Sequence, residues 1–372
     1  MMQRKPLKNN CKSVVIKIGS AVLSDGKAFD EVSFVNVVSG VASLRRSGID
    51  VTVVCSGAVA LGRAALGLAE RPKKLALLQA SASVGQGILA SKWAAALSTF
   101  GLVSAQVLLT HDDLANRRRF IAARQTLREL LELGMVPIIN ENDAVAVEEI
   151  KMGDNDLLSS LVVSLVGAQH LTILSNVDGL LSDAGTPRVK RISFVSQVDD
   201  DVFAQVGGHK SAVGSGGMTT KLEAIRRVNE LGVSAHIVDG KSENVLLHCL
   251  EGYDVGTWFE ADRSRLKSRK HWIAYALDVK GRLVIDSGAV TALRQRGKSL
   301  LPIGVVDVQG DFVEGELVEL CDPMGKVMAR GLAATDIHAA RQMMGKKLVD
   351  IEAERGWSTV LVHRDDLIVL DA

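Results

Sequence analysis

Aromatic side chains make up only 4% of this 372-residue chain, so any core must be packed from Val, Leu, Ile and Ala. Cysteine is equally scarce. Cys11, Cys55, Cys249 and Cys321 lie far apart and form no C-x-x-C pair; that usage excludes a disulfide framework and reads as reduced, mostly buried thiols in a cytoplasm. The eight histidines show no H-x-x-x-H or other ligand spacing, which argues against a zinc site. The net charge of +1 leaves no general demand for nucleic acid or an anionic membrane. No apolar stretch approaches the ~20 uninterrupted residues of a membrane helix. The nearest, Leu157 to Leu174, is broken by Ser, Gly167, Gln169 and His170 and reads as helix, turn and strand. The basic N-terminus (Arg4, Lys5, Lys8, Lys12) precedes an apolar run too short for a signal peptide. A soluble, cytoplasmic chain is the expectation. Two common nucleotide signatures are also missing: no G-x-G-x-x-G follows the first strand, and no G-K-[ST] triplet closes a glycine loop.

What is present is a repeated alternation of apolar runs with helical patterns. Runs at Val14–Ile18, Ile49–Cys55, Ser104–Leu109, Met135–Ile139, His170–Leu174 and Val233–Val238 read as strands, and Met135–Ile139 has the length and β-branching of a buried one. Helical patterns fall between them, several stopped by glycine, as at Gly48 and Gly134. The expected fold class is α/β, a mostly parallel sheet sandwiched by helices. After Trp258-Phe259 the texture changes. A nearly all-polar stretch leads into short strands with turn signals, including Asp322-Pro323-Met324-Gly325. The domain boundaries read from this are 10–260 for the α/β domain, 261–270 for a linker and 271–372 for a small β-rich domain.

Four features converge on the carboxyl edge of the sheet, where parallel α/β folds bind ligands. Lys17 ends the first strand in K-I-G-S, costly inside an apolar run unless its ammonium is paired or solvated. Ser56-Gly57 ends the second, a hydroxyl with backbone N–H groups suited to a carboxylate or an oxyanion. Ser215-Gly216-Gly217-Met218-Thr219-Thr220-Lys221 puts glycines and a lysine at a helix start, where backbone amides and the helix dipole favour phosphate. Acids are preferred there, so Lys221 is unusual and a bound polyphosphate would account for it. The fourth feature is a pair of polar knots, Asn140-Glu141-Asn142-Asp143 and Gly153-Asp154-Asn155-Asp156. Carboxylates repel phosphates, so one of Asp143 and Asp156 can meet a substrate ammonium while the other holds a lysine or helps position a metal. Two lysines, a glycine loop and no obvious nucleophile fit phosphoryl transfer, which works by positioning and charge neutralisation. The residues alone therefore point to a small-molecule kinase with a polar, zwitterionic acceptor.

At V-V-I-K-I-G-S (14–20), C-S-G-A (55–58), the run I-N-E-N-D-A-V-A-V-E-E-I-K-M-G-D-N-D (139–156), S-G-G-M-T-T-K-L (215–222) and V-H-R-D-D (362–366), the chain resembles the glutamate 5-kinase family. The resemblance covers nearly the whole sequence. It implies an amino acid kinase fold followed by a PUA domain, and transfer of the γ-phosphoryl of ATP to the side-chain carboxylate of L-glutamate, with Mg²⁺ accompanying the nucleotide. By motif it assigns Lys17, Lys221 and Asp156 to catalysis, and Ser56, Gly57, Asn140, Asp143 and Asn155 to glutamate. Lys17, Ser175, Asn176 and residues Ser215, Gly216, Gly217, Met218, Thr219, Thr220 and Lys221 would receive ATP. Asn176 departs from the family's usual Asp. Proline as a feedback inhibitor and a homo-oligomer, dimer or tetramer, are further family expectations. Other amino acid kinases are the nearest rivals. Aspartate kinases carry K-F-G-G-T-S and ACT domains, and an acetylglutamate kinase would not need Asp143. RNA binding through the C-terminal domain is the rival of another class. Against it, residues 271–372 hold 12 Lys and Arg against 15 Asp and Glu, with four aromatics.

Overall fold

The computed structural model describes every residue except 1–5, 8–10, 25–28, 146–154, 183–188, 205–216, 262–272, 274, 276, 297, 356–359 and 371–372. It divides into two units, Met1–Arg265 and Leu266–Ala372.

The apolar runs become the strands of the first unit: β1 (Ser13–Ile18), β2 (Asp50–Cys55), β3 (Ser104–Leu109), β4 (Val136–Glu141), β5 (His170–Ser175), β6 (Leu180–Ser182), β7 (Lys190–Ile192), β8 (Phe194–Val195), β9 (Ser234–Asp239) and β10 (Thr257–Phe259). Its helices are α1 (Glu31–Arg46), α2 (Ala58–Ala65), α3 (Leu75–Ser98), α4 (His111–Ala115), α5 (Arg117–Glu132), α6 (Asn155–Val166), α7 (Asp200–Ala204), α8 (Met218–Glu230) and α9 (Val245–Glu251). The main sheet has the order β3-β4-β2-β1-β5-β9-β10-β8. All of its pairings are parallel except β9 with β10. β1 pairs on one side with β2 and on the other with β5. The chain thus turns one way after β1 and crosses to the other side through α6, which puts a topological switch point at Lys17.

Strand alternation sorts the two faces. Val14, Ile16 and Ile18 join Phe34, Val37 and Val41 of α1 and Trp93 and Leu97 of α3 in one core. Lys17, of opposite parity, is carried to the face covered by α6 and α8. The aromatics that exist are concentrated: Phe34 meets Trp93 edge-on at 5.0 Å. α1 is fixed by local chemistry as well as packing. Asp30 caps α1 through the Ser33 N–H, 3.0 Å away, and Gly48 at φ +77° turns the chain out of it.

α2 and α3 cross with their backbones touching. A Cβ on Gly62 would stand 1.7 Å from Ser81 O, and one on Gly85 1.8 Å from Ala58 O. Gly62→Ala is expected to destabilise the chain by about 1–3 kcal/mol through overpacking, although helix propensity alone would favour Ala by about 1 kcal/mol. The urea midpoint checks this; an unchanged or higher midpoint means that α2 lifts from α3 at no cost.

The second unit comprises β11 (Val279–Ile285), α10 (Ser287–Arg296), β12 (Val305–Gly310), β13 (Leu317–Cys321), β14 (Val327–Ala333), α11 (Ile337–Met343), α12 (Leu348–Arg355) and β15 (Val362–Val369). Its sheet runs β12-β11-β13-β14-β15, around a core that includes Leu283, Phe312, Leu320 and Met343. Asp322 makes the β13–β14 turn by accepting from the Met324 and Lys326 N–H groups, both at 2.9 Å. Glu319, in the middle strand, is held by Arg282 at 3.3 Å and Arg330 at 3.0 Å from the strands on either side.

Several elements depart from the sequence reading. α4, α7, α9, α12, the β6–β7 hairpin, β8, β10 and β15 were not expected from periodicity, because each is short or polar. β4 continues two residues beyond Ile139, through Asn140 and Glu141.

Candidate active site

Both lysines singled out by sequence reach one carboxylate. Asp156, on the first turn of α6, receives Lys17 Nζ on Oδ1 at 2.6 Å and Lys221 Nζ on Oδ2 at 3.2 Å. Asp156 is 1% exposed, Lys17 5% and Lys221 7%. Burial pushes the Asp156 carboxyl upward, but the two ammonium charges and hydrogen bonds from Lys17 and Thr220 outweigh it and hold the group below its ordinary value. It is an ionised clamp, not a proton donor. The cluster carries two positive charges and one negative, an excess of cation facing the carboxyl edge of the sheet.

A second cluster sits beside the first. Asn155 Nδ2 donates to Ser56 Oγ at 2.7 Å and to Asn140 Oδ1 at 2.9 Å. One amide thereby ties the end of β2, the end of β4 and the start of α6. Among the described residues Asn155 Oδ1 is buried without a hydrogen-bond partner, which leaves an acceptor unmatched there. Ser56 accepts from Asn155, which leaves its own O–H proton for another acceptor. Gly57 follows at φ +115°, a conformation that glycine adopts without strain, and caps α2. Asp143 lies half-buried in the turn after β4. Gly153 and Asp154 of the second polar knot lie outside the described residues.

On the other side of β1, Ser175 ends β5 buried, and its carbonyl accepts from Gly240 N–H at 2.8 Å. Asn176 after it is exposed. Gly217 caps α8 with extended backbone, and Met218, Thr219 and Thr220 form the first turn. Ser215 and Gly216 lie outside the described residues. Thr220 Oγ1 reaches Asp156 Oδ2 at 3.0 Å, a contact between helices that sequence spacing did not reveal. Gln86 was also missed. It lies buried on α3 and donates to the Glu141 carbonyl at 3.1 Å, bracing the end of β4. The available signal was one of two amides, with Gln79, in a helix otherwise rich in Ala, Leu and Ser.

The Cys55 thiol, next to Ser56, does not serve as a covalent nucleophile. Burial pushes the Cys55 thiol up to about 12, against the opposing pull of Trp93 and Lys17, so the thiolate is not formed near neutrality. Among the described residues no group of three His, Cys, Asp or Glu side chains can hold a metal ion, and both Asp156 oxygens are already engaged. Nor is any described helix long and apolar enough to cross a membrane.

Residues 12–239 match the Amino acid kinase family and residues 281–354 match the PUA domain. A Glutamate 5-kinase from Syntrophotalea carbinolica is 42% identical, with 98% of this chain and 99% of the relative covered. One from Geobacter sulfurreducens is 41% identical over 99% and 100% of the two chains. Another, from Pseudomonas putida, is 43% identical over 96% and 98%. With likeness of this extent running through both units, the chain belongs to the amino acid kinase family, in its glutamate 5-kinase branch with a PUA domain.

Proposed function

We propose that this protein transfers the γ-phosphoryl group of ATP to the side-chain carboxylate of L-glutamate, giving L-glutamyl 5-phosphate and ADP, the first step of proline biosynthesis, in the cytoplasm. The observation that carries the reading is Lys17 and Lys221 meeting on Asp156 beside the Ser56–Asn155–Asn140 cluster.

The chemistry explains why no general base is needed. A glutamate side chain, with a pKa of about 4.3, is ionised at neutral pH and attacks as a carboxylate. What the reaction demands is neutralisation of the charge shared among the attacking, transferred and leaving oxygens. Lys17 and Lys221 supply it, and Asp156 keeps the two ammonium groups apart and aimed. Ser56, Gly57, Asn155 and Asn140 hold glutamate, the last through Asn155; Asp143 faces its ammonium. Ser175, Asn176 and the segment from Ser215 to Lys221 receive ATP. Since these residues form no carboxylate cage, Mg²⁺ belongs to the proposal as the nucleotide's counter-ion, held through phosphate oxygens as is usual for this cation. Residues 10–260 carry the reaction, 261–270 link, and 271–372 form an accessory domain. Feedback inhibition by proline and a dimeric or tetrameric assembly complete the proposal.

The test is phosphoryl transfer from ATP with hydroxylamine trapping the acyl phosphate as a hydroxamate, for glutamate, aspartate and acetylglutamate, with and without proline. A higher kcat/KM for either of the other two acceptors would refute the assignment of glutamate. Ser56→Ala, which strands the Asn155 amide and removes a donor, is expected to raise KM for glutamate by about 10- to 100-fold, equivalent to about 1–3 kcal/mol, with KM for ATP unmoved. Equal rises in both constants would mean that Ser56 shapes the whole edge and not the acceptor pocket.

A further inference from the structure

Phosphoryl transfer asks Lys221 to leave a partner. Its ammonium rests 3.2 Å from Asp156 Oδ2 and 3.4 Å from Gly217 O, the capping carbonyl of its own helix. An ammonium has three N–H donors, and aiming one at a phosphoryl oxygen rotates the group and loosens its hold on these two acceptors. A buried carboxylate oxygen that loses its donor carries the full desolvation penalty, and at 1% exposure Asp156 has little access to water as a replacement.

A replacement is already in place. Thr220 Oγ1 lies 3.0 Å from the same Asp156 Oδ2 and 2.9 Å from the same Gly217 O. A hydroxyl has one proton and donates to one acceptor at a time, so Thr220 and Lys221 share a pair of acceptors between them. The contact with Gly217 O is the ordinary back bond of a threonine in a helix and carries nothing by itself. The contact with Asp156 crosses from α8 to α6, and helix geometry alone does not supply it.

We infer that Thr220 is a positioning residue that keeps Asp156 Oδ2 hydrogen-bonded while the Lys221 ammonium turns to the transferred phosphoryl group. A neutral donor suits this task. A third cation at Oδ2 would compete with the nucleotide for the carboxylate's charge and repel both lysines. The hydroxyl fixes the carboxylate plane and leaves the two positive charges for phosphate. With Oδ2 held, Oδ1 stays on Lys17 at 2.6 Å, so both lysines depend on one side-chain orientation. The Thr220 hydroxyl acts through Asp156, while the segment it belongs to meets ATP through its backbone amides, so loss of the hydroxyl falls on kcat.

The inference rests on the proposed kinase reading of this centre. Its test compares full-length Thr220→Val, which keeps the shape and removes the hydroxyl, with Thr220→Ser, which keeps the hydroxyl and removes the methyl. In the hydroxamate assay Thr220→Val is expected to lose about tenfold in kcat, the worth of one hydrogen bond to a charged group. Both KM values stay at the wild-type level, and Thr220→Ser recovers kcat. A raised KM for ATP at unchanged kcat would overturn the inference and make the hydroxyl a nucleotide contact. Serine as slow as valine would overturn it in favour of methyl packing, and an unaffected kcat would end it outright. Wild-type protein that forms no hydroxamate from any acceptor would remove the kinase reading as well. A working wild type with an unaffected valine variant removes only the role of Thr220. Thermal unfolding of each variant separates a lost hydrogen bond from a lost fold.

Discussion

Replacing Asp156 by asparagine is expected to lower kcat by about 10²- to 10³-fold, the range seen when one preorganised electrostatic contact is removed, while KM for glutamate changes far less. Among the described residues the carboxylate is the only negative member of a buried group in which Lys17 and Lys221 stand 2.6 Å and 3.2 Å away. An amide of the same shape leaves two ammonium groups facing one neutral side chain and, on one side, its own N–H donors. The lysines must then separate, and with them the site for the transferred phosphoryl. The same change removes one partner from buried ion pairs, which costs about 3–5 kcal/mol of stability, so a second variant is needed. Lys221→Ala leaves Asp156 with Lys17 and Thr220 and spares it the unpaired state. It is expected to lose kcat on the same scale with little change in glutamate affinity. Full kcat in Lys221→Ala would remove that lysine from the mechanism. Acidification gives an independent check. Asp156 is held below the ordinary carboxylate value of 3.8, so its protonation cannot account for any loss of activity above about pH 4.

How far the site could be read from sequence depended on whether its signal was local. The strand Ser104–Leu109 lies parallel at the sheet edge, and its bounds in the fold are those expected from the sequence alone. Lys17 stood out because a lysine in such a run needs a partner; the sequence left an edge lysine reaching solvent as the other choice. The sheet order decides between them, placing β1 between β2 and β5 with Asp156 as the partner. β4 outran its apolar segment because Asn140 and Glu141 are satisfied by groups distant in the chain. Asn140 accepts from Asn155, and the Glu141 carbonyl accepts from Gln86. Neither contact is written in local periodicity. The β6–β7 hairpin was hidden for the same reason. Arg191 ties it to Asp178 at 3.4 Å and Asp254 at 3.0 Å, and Thr257 Oγ1 accepts from Leu180 N–H at 2.7 Å. Spacing placed Lys17, Ser56 and Lys221 at strand and helix ends of one sheet edge. The hydrogen bonds that order them required the fold.

Stability is expected to fall as pH drops from 6.5 to 5, with a slope that steepens towards roughly 1.4 kcal/mol per pH unit, on account of one side chain, His170. It opens β5, fully buried, stacked on Trp258 at 5.1 Å and edge-on to His236 at 5.2 Å. Its Nδ1 meets Ser234 Oγ at 2.8 Å, and its Nε2 has no hydrogen-bond partner among the described residues. Burial alone lowers its pKa from 6.5 to about 3, since an imidazolium there would be taken out of water without an anion to replace it. In the unfolded chain the ring takes up a proton below pH 6.5; in the folded chain it stays neutral until about pH 3. The unfolded state therefore binds more protons across that window, so stability is full above pH 6.5 and drains as pH falls. Asp156 acts in the same direction only at lower pH, below the ordinary carboxylate value, so the two contributions separate along the pH axis. His170→Asn removes the titration. It is expected to weaken the chain at pH 7 through lost stacking yet to flatten the dependence of the urea midpoint on pH between 6.5 and 5. A slope in that variant equal to the wild type's would assign the acid sensitivity to another group and leave His170 as packing alone.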